Sequence, residues 1–314
     1  MKMDLEKTHL ITHAGCLDGA VSSILFMHAG GLKKNVHYVV AGQVEEFLSD
    51  GTLEGLRSAP LLIVDVCPTT QELAEKLSRR ADTFVIDHHK TASKFQGLPG
   101  FLIDVQNSAC GCENFRQWLV TRGFDEFDLY AYRRICEITD DHDRWQRKIP
   151  FSIEMPKLMS LIGQREFVER MSNVRTRFAE EKDSYWNAFE AELVPIISRS
   201  QDRRFDKLLD KFFVRDEDWS YGRRIRVGYL ISSEINNSEL MKRYLDRRLD
   251  VDVACQINLD LGKVGIRSRT SGVDVSDWAV AHGGGGHRAA AGYSIAGDIT
   301  QRIVEELDKD AIRD

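Results

Sequence analysis

The stretch Val85-Ile86-Asp87-His88-His89 decides the fold, because a short apolar run ends there in a carboxylate and two adjacent imidazoles. Short apolar runs are typical of buried strands, and in open α/β sheets the ligands collect where the strands end. Three side chains that can bind a metal at one strand end are hard to explain by packing. A solvated turn is the competing interpretation of this stretch taken by itself, so its meaning depends on the rest of the chain.

Other strands of the first half end in the same kind of residue. Residues 10–12 form a predicted strand that is followed by His13 and Asp18, and residues 61–64 form another that ends in Asp65. Helical patterns separate these strands, and such alternation predicts an α/β fold with a mainly parallel sheet and helices on both faces. The candidate ligands should therefore meet at one edge of the sheet.

Length and composition bound the class of protein. The chain has 314 residues, a net charge of -6 and six cysteines, which fits two domains without a disulfide framework. No stretch approaches the roughly 18 apolar residues of a membrane span, and the first residues lack the apolar core of a signal peptide. We therefore expect a cytoplasmic protein with no membrane partner. The acidic balance argues against wrapping of long duplex nucleic acid but not against a small phosphate-bearing substrate.

The sequence pattern predicts three regions. Residues 1–160 carry the strand-end ligands, and residues 161–215 are charged with apolar positions at helical spacing, which predicts a connecting pair of long helices. Residues 216–314 return to alternating strands and helices and predict a smaller C-terminal α/β domain. We expect an active-site cleft between these two domains.

A glycine-rich motif marks the C-terminal domain. Four consecutive glycines, residues 283–286, precede His287, and glycines in that number weaken any helix or strand. Structured patterns on both sides disfavour a flexible linker, so we predict a loop whose N–H groups approach an anion. Arg267 lies on a predicted strand just before this loop.

The strand-end residues have the composition that phosphodiester hydrolysis requires. Two divalent cations can neutralise the phosphate charge, generate the hydroxide and orient the leaving oxygen, and they lie about 3.5–4 Å apart. Holding them takes a cluster of carboxylates and imidazoles with at least one bridging carboxylate. The chain offers such residues after its strands and again in Asp140-Asp141-His142-Asp143.

The order of these motifs resembles a known family. From Thr12 to Gly292 the chain carries His-x-x-Cys-x-Asp-Gly, Val-Asp, Asp-His-His, Asp-x-Asp-x-Trp and Gly-Gly-Gly-Gly-His with Ala-Ala-Gly. This order is similar to that of the DHH phosphoesterase superfamily with a DHHA1 domain, which includes RecJ exonucleases, nanoRNA and pAp phosphatases, and cyclic-dinucleotide phosphodiesterases. The resemblance implies a DHH metal-binding domain over residues 1–160 and a DHHA1 substrate-binding domain over residues 216–314.

The resemblance also implies roles for individual residues. The implied metal ligands are His13, Cys16, Asp18, Asp65, His88 and Asp141, with Asp65 bridging both ions. Asp141 is preferred to Asp140 because it begins the better match to the motif. Asp87 would orient a ligating imidazole, and His89 would face the substrate phosphate, so Asp87, His88 and His89 form the implied catalytic group. The implied substrate-binding residues are His89, Arg267, Gly284, Gly285, Gly286 and His287.

Cys16 departs from the family pattern, since many relatives have aspartate there. A thiolate is a softer ligand than a carboxylate and shifts preference among metals. Two divalent ions are implied, with Mn²⁺ as the expected metal and Fe²⁺, Co²⁺ or Zn²⁺ admitted by Cys16. Either Cys16 is a true ligand, or it is a bystander and water fills its position.

The expected function is metal-dependent hydrolysis of short oligonucleotides or linear dinucleotides such as pGpG to 5′-mononucleotides, with pAp as a further substrate. Direct opening of a cyclic dinucleotide is the alternative within the same enzyme class. A catalytically weak nucleotide sensor is the alternative outside it. A homodimer is compatible with the sequence.

Overall fold

The computed structural model describes residues 3–49, 56, 59–105, 109–219, 223–233, 238–269 and 273–295. The chain divides into two compact units, residues 1–200 and 201–314. This boundary falls within a long helix and inside the predicted connector. Among the described residues, no helix has both the length and the apolar character that crossing a bilayer requires.

The first unit is built on a five-stranded sheet. Its strands are paired in the order β2-β1-β3-β4-β5, and every pairing is parallel. The predicted mainly parallel sheet is therefore confirmed. The strand bounds are β1 His9–His13, β2 Val36–Val39, β3 Leu61–Val64, β4 Thr83–Asp87 and β5 Phe101–Ile103.

Burial on both faces explains why the central strand is a continuous apolar run. In β3, Leu62 and Val64 belong to one hydrophobic core, whereas Leu61 and Ile63 belong to another. Successive strand side chains point to opposite faces, so each face of the sheet has its own helical layer. Because β1, β3 and β4 are adjacent and parallel, their carboxyl ends lie at the same edge of the sheet.

Helices cover both faces of this sheet. Two of them, α2 and α3, contribute to the core that contains Ile63, and the others that contribute to a core of this unit join the core that contains Leu62. Their bounds are α1 Leu17–His28, α2 Val44–Ser49, α3 Gln71–Ser78, α4 Gly111–Thr121, α5 Tyr130–Asp143, α6 Glu154–Ile162, α7 Gln164–Met171, α8 Val174–Arg177 and α9 Ala188–Leu209.

The predicted pair of long helices over residues 165–212 is wrong in its first member. Gly163, with a φ of 83°, separates α6 from α7, and α7 and α8 are short. Their apolar side chains, Phe167 and Val174 among them, lie in the core of the first unit. The apolar spacing therefore reflects packing of short helices into the core. The single long helix of this region is α9.

The second unit contains a six-stranded mixed sheet, which confirms the predicted separate C-terminal α/β domain. Its strand order is β10-β11-β9-β8-β7-β6, and only the β7–β8 pair is parallel among these pairings. The bounds are β6 Phe213–Trp219, β7 Arg223–Ser232, α10 Ser238–Arg247, β8 Val253–Asn258, β9 Lys263–Ser268, α11 Val275–Ala281, β10 Gly285–His287 and β11 Ala290–Ser294.

A histidine pair in the first unit makes its stability depend on pH. His9 Nδ1 and His37 Nε2 lie 2.9 Å apart, and the two rings are stacked. Burial foremost, with the neighbouring His9, lowers the pKa of His37 from 6.5 to about 4. As the pH falls below 6.5, His37 is protonated in the unfolded chain but stays neutral in the folded chain. The folded state therefore loses stability as the pH falls to about 4.

We predict that His37→Gln flattens the pH dependence of the melting temperature in that window. Glutamine can accept the hydrogen bond of His9 but does not titrate. The wild-type protein should lose about 1–2 kcal/mol more stability than the variant across the window. Calorimetric melting temperatures measured across that pH range for both proteins test this. Parallel profiles would contradict it.

Candidate metal centre

The loop after β1 brings its donor atoms to Asp65. His13 Nδ1 lies 3.6 Å from Asp65 Oδ2, and Cys16 Sγ lies 3.1 Å from the same oxygen. Cys16 also accepts a hydrogen bond from Gly19 N, so it is the N-cap of α1. These three donor groups lie within 4.8 Å of one another, a spacing at which one cation can contact all three.

Asp65 occupies an unusual backbone conformation. It follows β3 directly, it is buried, and its φ is 64°, a left-handed value that is uncommon for residues other than glycine. Its N–H still donates to Ile86 O, so the sheet holds the strained residue in place. Such outliers cluster at functional sites, and here the conformation belongs to the carboxylate that has the most neighbouring donors.

A second group of donors surrounds His88. Its Nε2 lies 3.3 Å from Asp65 Oδ1, 3.7 Å from Asp18 Oδ2 and 3.6 Å from Asp143 Oδ2. Asp18, His88 and Asp143 have donor atoms within 4.8 Å of one another. Because Asp65 contacts both groups, the two can act as neighbouring metal sites that share one carboxylate.

Asp87 fixes the second histidine of the pair rather than the first. Its Oδ1 lies 2.7 Å from His89 Nδ1 and also accepts the backbone N–H groups of His88 and His89. The orienting role predicted for Asp87 therefore applies geometrically to the ring of His89. His89 Nδ1 lies 4.0 Å from Asp65 Oδ1, so its ring stands beside the donor cluster.

The first two residues of α4 hold Asp18. The Asp18 carboxylate accepts the backbone N–H groups of Gly111 at 2.6 Å and Cys112 at 2.5 Å. Asp140 Oδ1 in turn accepts the N–H of Cys110 at 2.7 Å. A Cβ at position 111 would stand 2.8 Å from the Asp65 Cβ, so only glycine fits between the carboxylates.

The crowding of charge appears in the pKa values of the site. Burial would lower the pKa of His88, but the surrounding carboxylates, Asp143 foremost, raise it to about 10. Burial and the charges of Asp65 and Asp143 hold the pKa of Asp18 well above its ordinary range. For Asp65 burial works against ionisation, but hydrogen bonds with the imidazoles hold the pKa well below its usual value.

The residues present fit divalent metal ions. Asp18, Asp65 and Asp87 are each at most 2% exposed, and buried carboxylates need compensating positive charge. Carboxylates and imidazoles suit Mn²⁺, Fe²⁺ and Zn²⁺, and a thiolate favours the softer ions among these. Cations at the two groups would relieve the repulsion that the protein alone offsets by protonation.

The structure does not bring Asp141 into this cluster, which corrects the choice made from the motif. Its two oxygens accept the backbone N–H groups of Lys148 and Ile149, each at 3.0 Å. These bonds hold the chain segment that leaves α5. Asp143 lies beside His88 instead. The signal was available in the helical spacing, because Asp140 and Asp143 are three residues apart and share a face of α5.

The predicted substrate-binding residues of the second unit lie on or next to β9 and β10, near one edge of its sheet. The glycines are not the predicted loop throughout, since Gly285, Gly286 and His287 form the edge strand β10. A Cβ on Gly284 would stand 2.2 Å from Gly292 O. Close backbone packing against β11 therefore explains that glycine, and anion binding is a separate question.

Arg267 is anchored within the second unit. On β9 it pairs with Ala290 of β11, its Nη1 donates to Ile266 O, and its Nη2 donates to Ser238 Oγ. Arg269 has a structural role, because its guanidinium donates to the carbonyls of Val251 and Arg248.

Comparison with known proteins gives matches over the whole chain. Residues 224–312 match the model of the DHHA1 domain. The chain is 23% identical over 309 residues to the Oligoribonuclease NrnB of Bacillus subtilis, a match that covers 95% of this chain and 75% of that protein.

Two solved structures show the same fold. The pGpG-specific phosphodiesterase PggH from Vibrio cholerae matches with a TM-score of 0.51 and 14% identity, over 98% of this chain and 100% of that chain. RecJ from Thermus thermophilus in complex with Mn²⁺ matches with a TM-score of 0.50 and 18% identity, over 98% of this chain and 52% of that chain.

We predict that Asp143→Asn and Asp141→Asn have different effects. Asp143→Asn should lower the affinity for one metal ion by at least about tenfold, because it removes a donor beside His88. Asp141→Asn should leave metal binding intact and lower the free energy of unfolding by about 1–3 kcal/mol, because it weakens two buried hydrogen bonds. Metal titration calorimetry and thermal unfolding measure both. If Asp141→Asn weakened metal binding and Asp143→Asn lowered only the free energy of unfolding, Asp141 would be the ligand instead.

Proposed function

We propose that the chain is a member of the DHH/DHHA1 phosphoesterase superfamily, to which it is similar in its C-terminal domain and in sequence, and that it is a metal-dependent phosphodiesterase that cleaves short oligonucleotides or linear dinucleotides to 5′-mononucleotides. The observation that carries this proposal is the convergence of donor atoms on Asp65. His13, Cys16 and His88 approach its carboxylate from the loops after β1 and β4. A structural role for the site would not need this concentration of buried charge.

The residues of the site divide the work in this proposal. Divalent ions, when bound, supply Lewis-acid neutralisation of the phosphate charge. Asp65 holds the two donor groups together, and the N-terminus of α4 fixes Asp18. His89, oriented by Asp87, contacts a non-bridging phosphate oxygen. Asp143 takes the position beside His88 that the sequence assigned to Asp141.

The second unit is proposed to take part in substrate binding. Arg267 supplies a guanidinium suited to phosphate, and His287 with the backbone of Gly284, Gly285 and Gly286 supplies further donors. The net charge of -6 favours a short substrate over long nucleic acid, whose binding needs many basic contacts. The names of two similar proteins, an oligoribonuclease and a pGpG-specific phosphodiesterase, support substrates of this size.

Mn²⁺ is the proposed metal, with Cys16 widening the choice to softer ions. We predict that Cys16→Asp shifts the metal preference toward Mn²⁺ and away from Zn²⁺ and Co²⁺, because a carboxylate is the harder ligand. Calorimetric affinities for each ion, compared between the wild-type protein and the variant, measure the shift. If each ion bound the wild-type protein and the variant with the same affinity, Cys16 would not be a metal ligand.

A substrate panel tests the function directly. Protein reconstituted with Mn²⁺ is incubated with pGpG, pApA, cyclic di-GMP, cyclic di-AMP, pAp, a pentanucleotide RNA and a long single-stranded DNA, and products are separated by chromatography. We expect mononucleotides from the linear dinucleotides and the pentanucleotide, and intact long DNA.

Two variants complete that experiment. An Asp87→Ala/His88→Ala double variant should be inactive, whereas Asp125→Asn, which removes an exposed carboxylate, should retain wild-type rates. Cleavage only of cyclic dinucleotides would favour the alternative phosphodiesterase. Tight dinucleotide binding without turnover under any metal would favour a nucleotide sensor, and activity in the double variant would exclude the proposed centre.

A further inference from the structure

The loop that carries His13 and Cys16 is clamped by a residue far away in the chain. Gln164, the first residue of α7, accepts the Gly15 N–H at 2.7 Å through its Oε1. Its Nε2 donates to His13 O at 3.0 Å and to Cys16 O at 3.4 Å. One side chain thus contacts three of the four residues in this loop.

Only an amide can make this set of contacts. The loop presents one N–H group and two carbonyl groups, so its partner must accept and donate at the same time. The primary amides of asparagine and glutamine offer two N–H donors together with an oxygen acceptor, whereas a hydroxyl or a neutral imidazole has one donor, a carboxylate only accepts, and lysine or arginine only donates. Gly15 has a φ of 77°, so the chain turns at this residue in the left-handed conformation that glycine adopts most readily.

The clamp rests on a rigid support. Phe167 and Met171 of α7 are fully buried in the core of the first unit, and Gly163, with its φ of 83°, sets the direction in which α7 begins. The opposite side of the loop is tied to the sheet, where Ala14 N donates to Val39 O at 2.9 Å. The loop is therefore held from the sheet on one side and from α7 on the other.

We propose that Gln164 is a positioning residue of the metal centre, which fixes the backbone of residues 13–16 so that the His13 imidazole and the Cys16 thiol converge on Asp65. The inference rests on the proposed function, because it assumes that these donors bind metal. Gln164 itself does not touch the substrate or the metal. Its effect passes through the loop backbone, since a shift of that backbone moves two donors at once.

Metal binding by the full-length protein tests this without a phosphodiesterase assay. Gln164→Met keeps the length of the side chain and removes all three hydrogen bonds, and Gln164→Ala serves as a second variant. Glu166→Gln is the matched control on the same helical turn. Calorimetric titration with Mn²⁺ should show about 10- to 100-fold weaker binding of one ion in the Gln164 variants, with the other ion bound as in the wild-type protein.

Co²⁺ absorption supplies a second readout that loss of stability alone would not change. A thiolate bound to Co²⁺ gives a sulfur-to-metal band in the near ultraviolet, which should be present in the wild-type protein and in Glu166→Gln and be weakened in both Gln164 variants at saturating metal. Melting temperatures of the metal-free proteins, measured in parallel, establish that the variants fold.

The outcomes separate this inference from the function on which it rests. Wild-type affinity and an unchanged cobalt band in the folded Gln164 variants would overturn the positioning role and leave the proposed function standing. A wild-type protein that binds neither Mn²⁺ nor Co²⁺ would overturn both. A uniform loss in the Glu166→Gln control as well would show that α7, not the Gln164 amide, sets the metal affinity, which also overturns the inference.

Discussion

The repulsion among buried carboxylates at the end of a parallel sheet is the constraint on which the first unit depends. Asp18, Asp65 and Asp87 are nearly inaccessible to water, and like charges at such distances in a protein interior are unfavourable. The protein offsets the repulsion with imidazoles and backbone N–H groups drawn from several elements. These groups come from the ends of neighbouring strands and from the N-terminus of α4, and the end of α5 adds the Asp143 carboxylate beside His88.

Backbone geometry at the centre reflects the same constraint. Asp65 accepts a left-handed conformation that places its carboxylate between His13 and His88. Gly111 lies against it, because a side chain there would collide with Asp65 and come within 3.2 Å of Asp18 Oδ2. The left-handed Asp65 and the obligatory Gly111 lie side by side because both donor groups converge on the Asp65 carboxylate.

The sequence predicted the parts of the structure that depend on local pattern. Apolar runs located the strands, and the polar residues after them located the edge where His13, Asp65 and His88 meet. The preference for Asp141 over Asp140 did not consider Asp143, because the motif was matched by residue order, whereas helical phase decides which carboxylate lies beside His88. The long-helix pair failed because apolar spacing alone does not show where a glycine ends one helix and begins another.

Long-range contacts were beyond sequence patterns for a different reason. Gly111 at the start of α4 holds Asp18 across 93 positions, and no periodicity in a single sequence links such residues. The four glycines before His287 were predicted to form an anion-binding loop rather than a flexible linker, and Gly284 is accounted for instead by its packing against Gly292. A motif identifies which residues are special more readily than it identifies what makes them so.

The contact between Gly15 and Gln164 spans 149 positions, and this has a consequence for synthesis of the chain. The first donors of the centre leave the ribosome long before the residue that braces their loop. Contacts that close so large a span form late, because the entropy of loop closure must be overcome first. The nascent chain therefore carries the loop of residues 13–16 without its contact to Gln164 until α7 has been translated and packed.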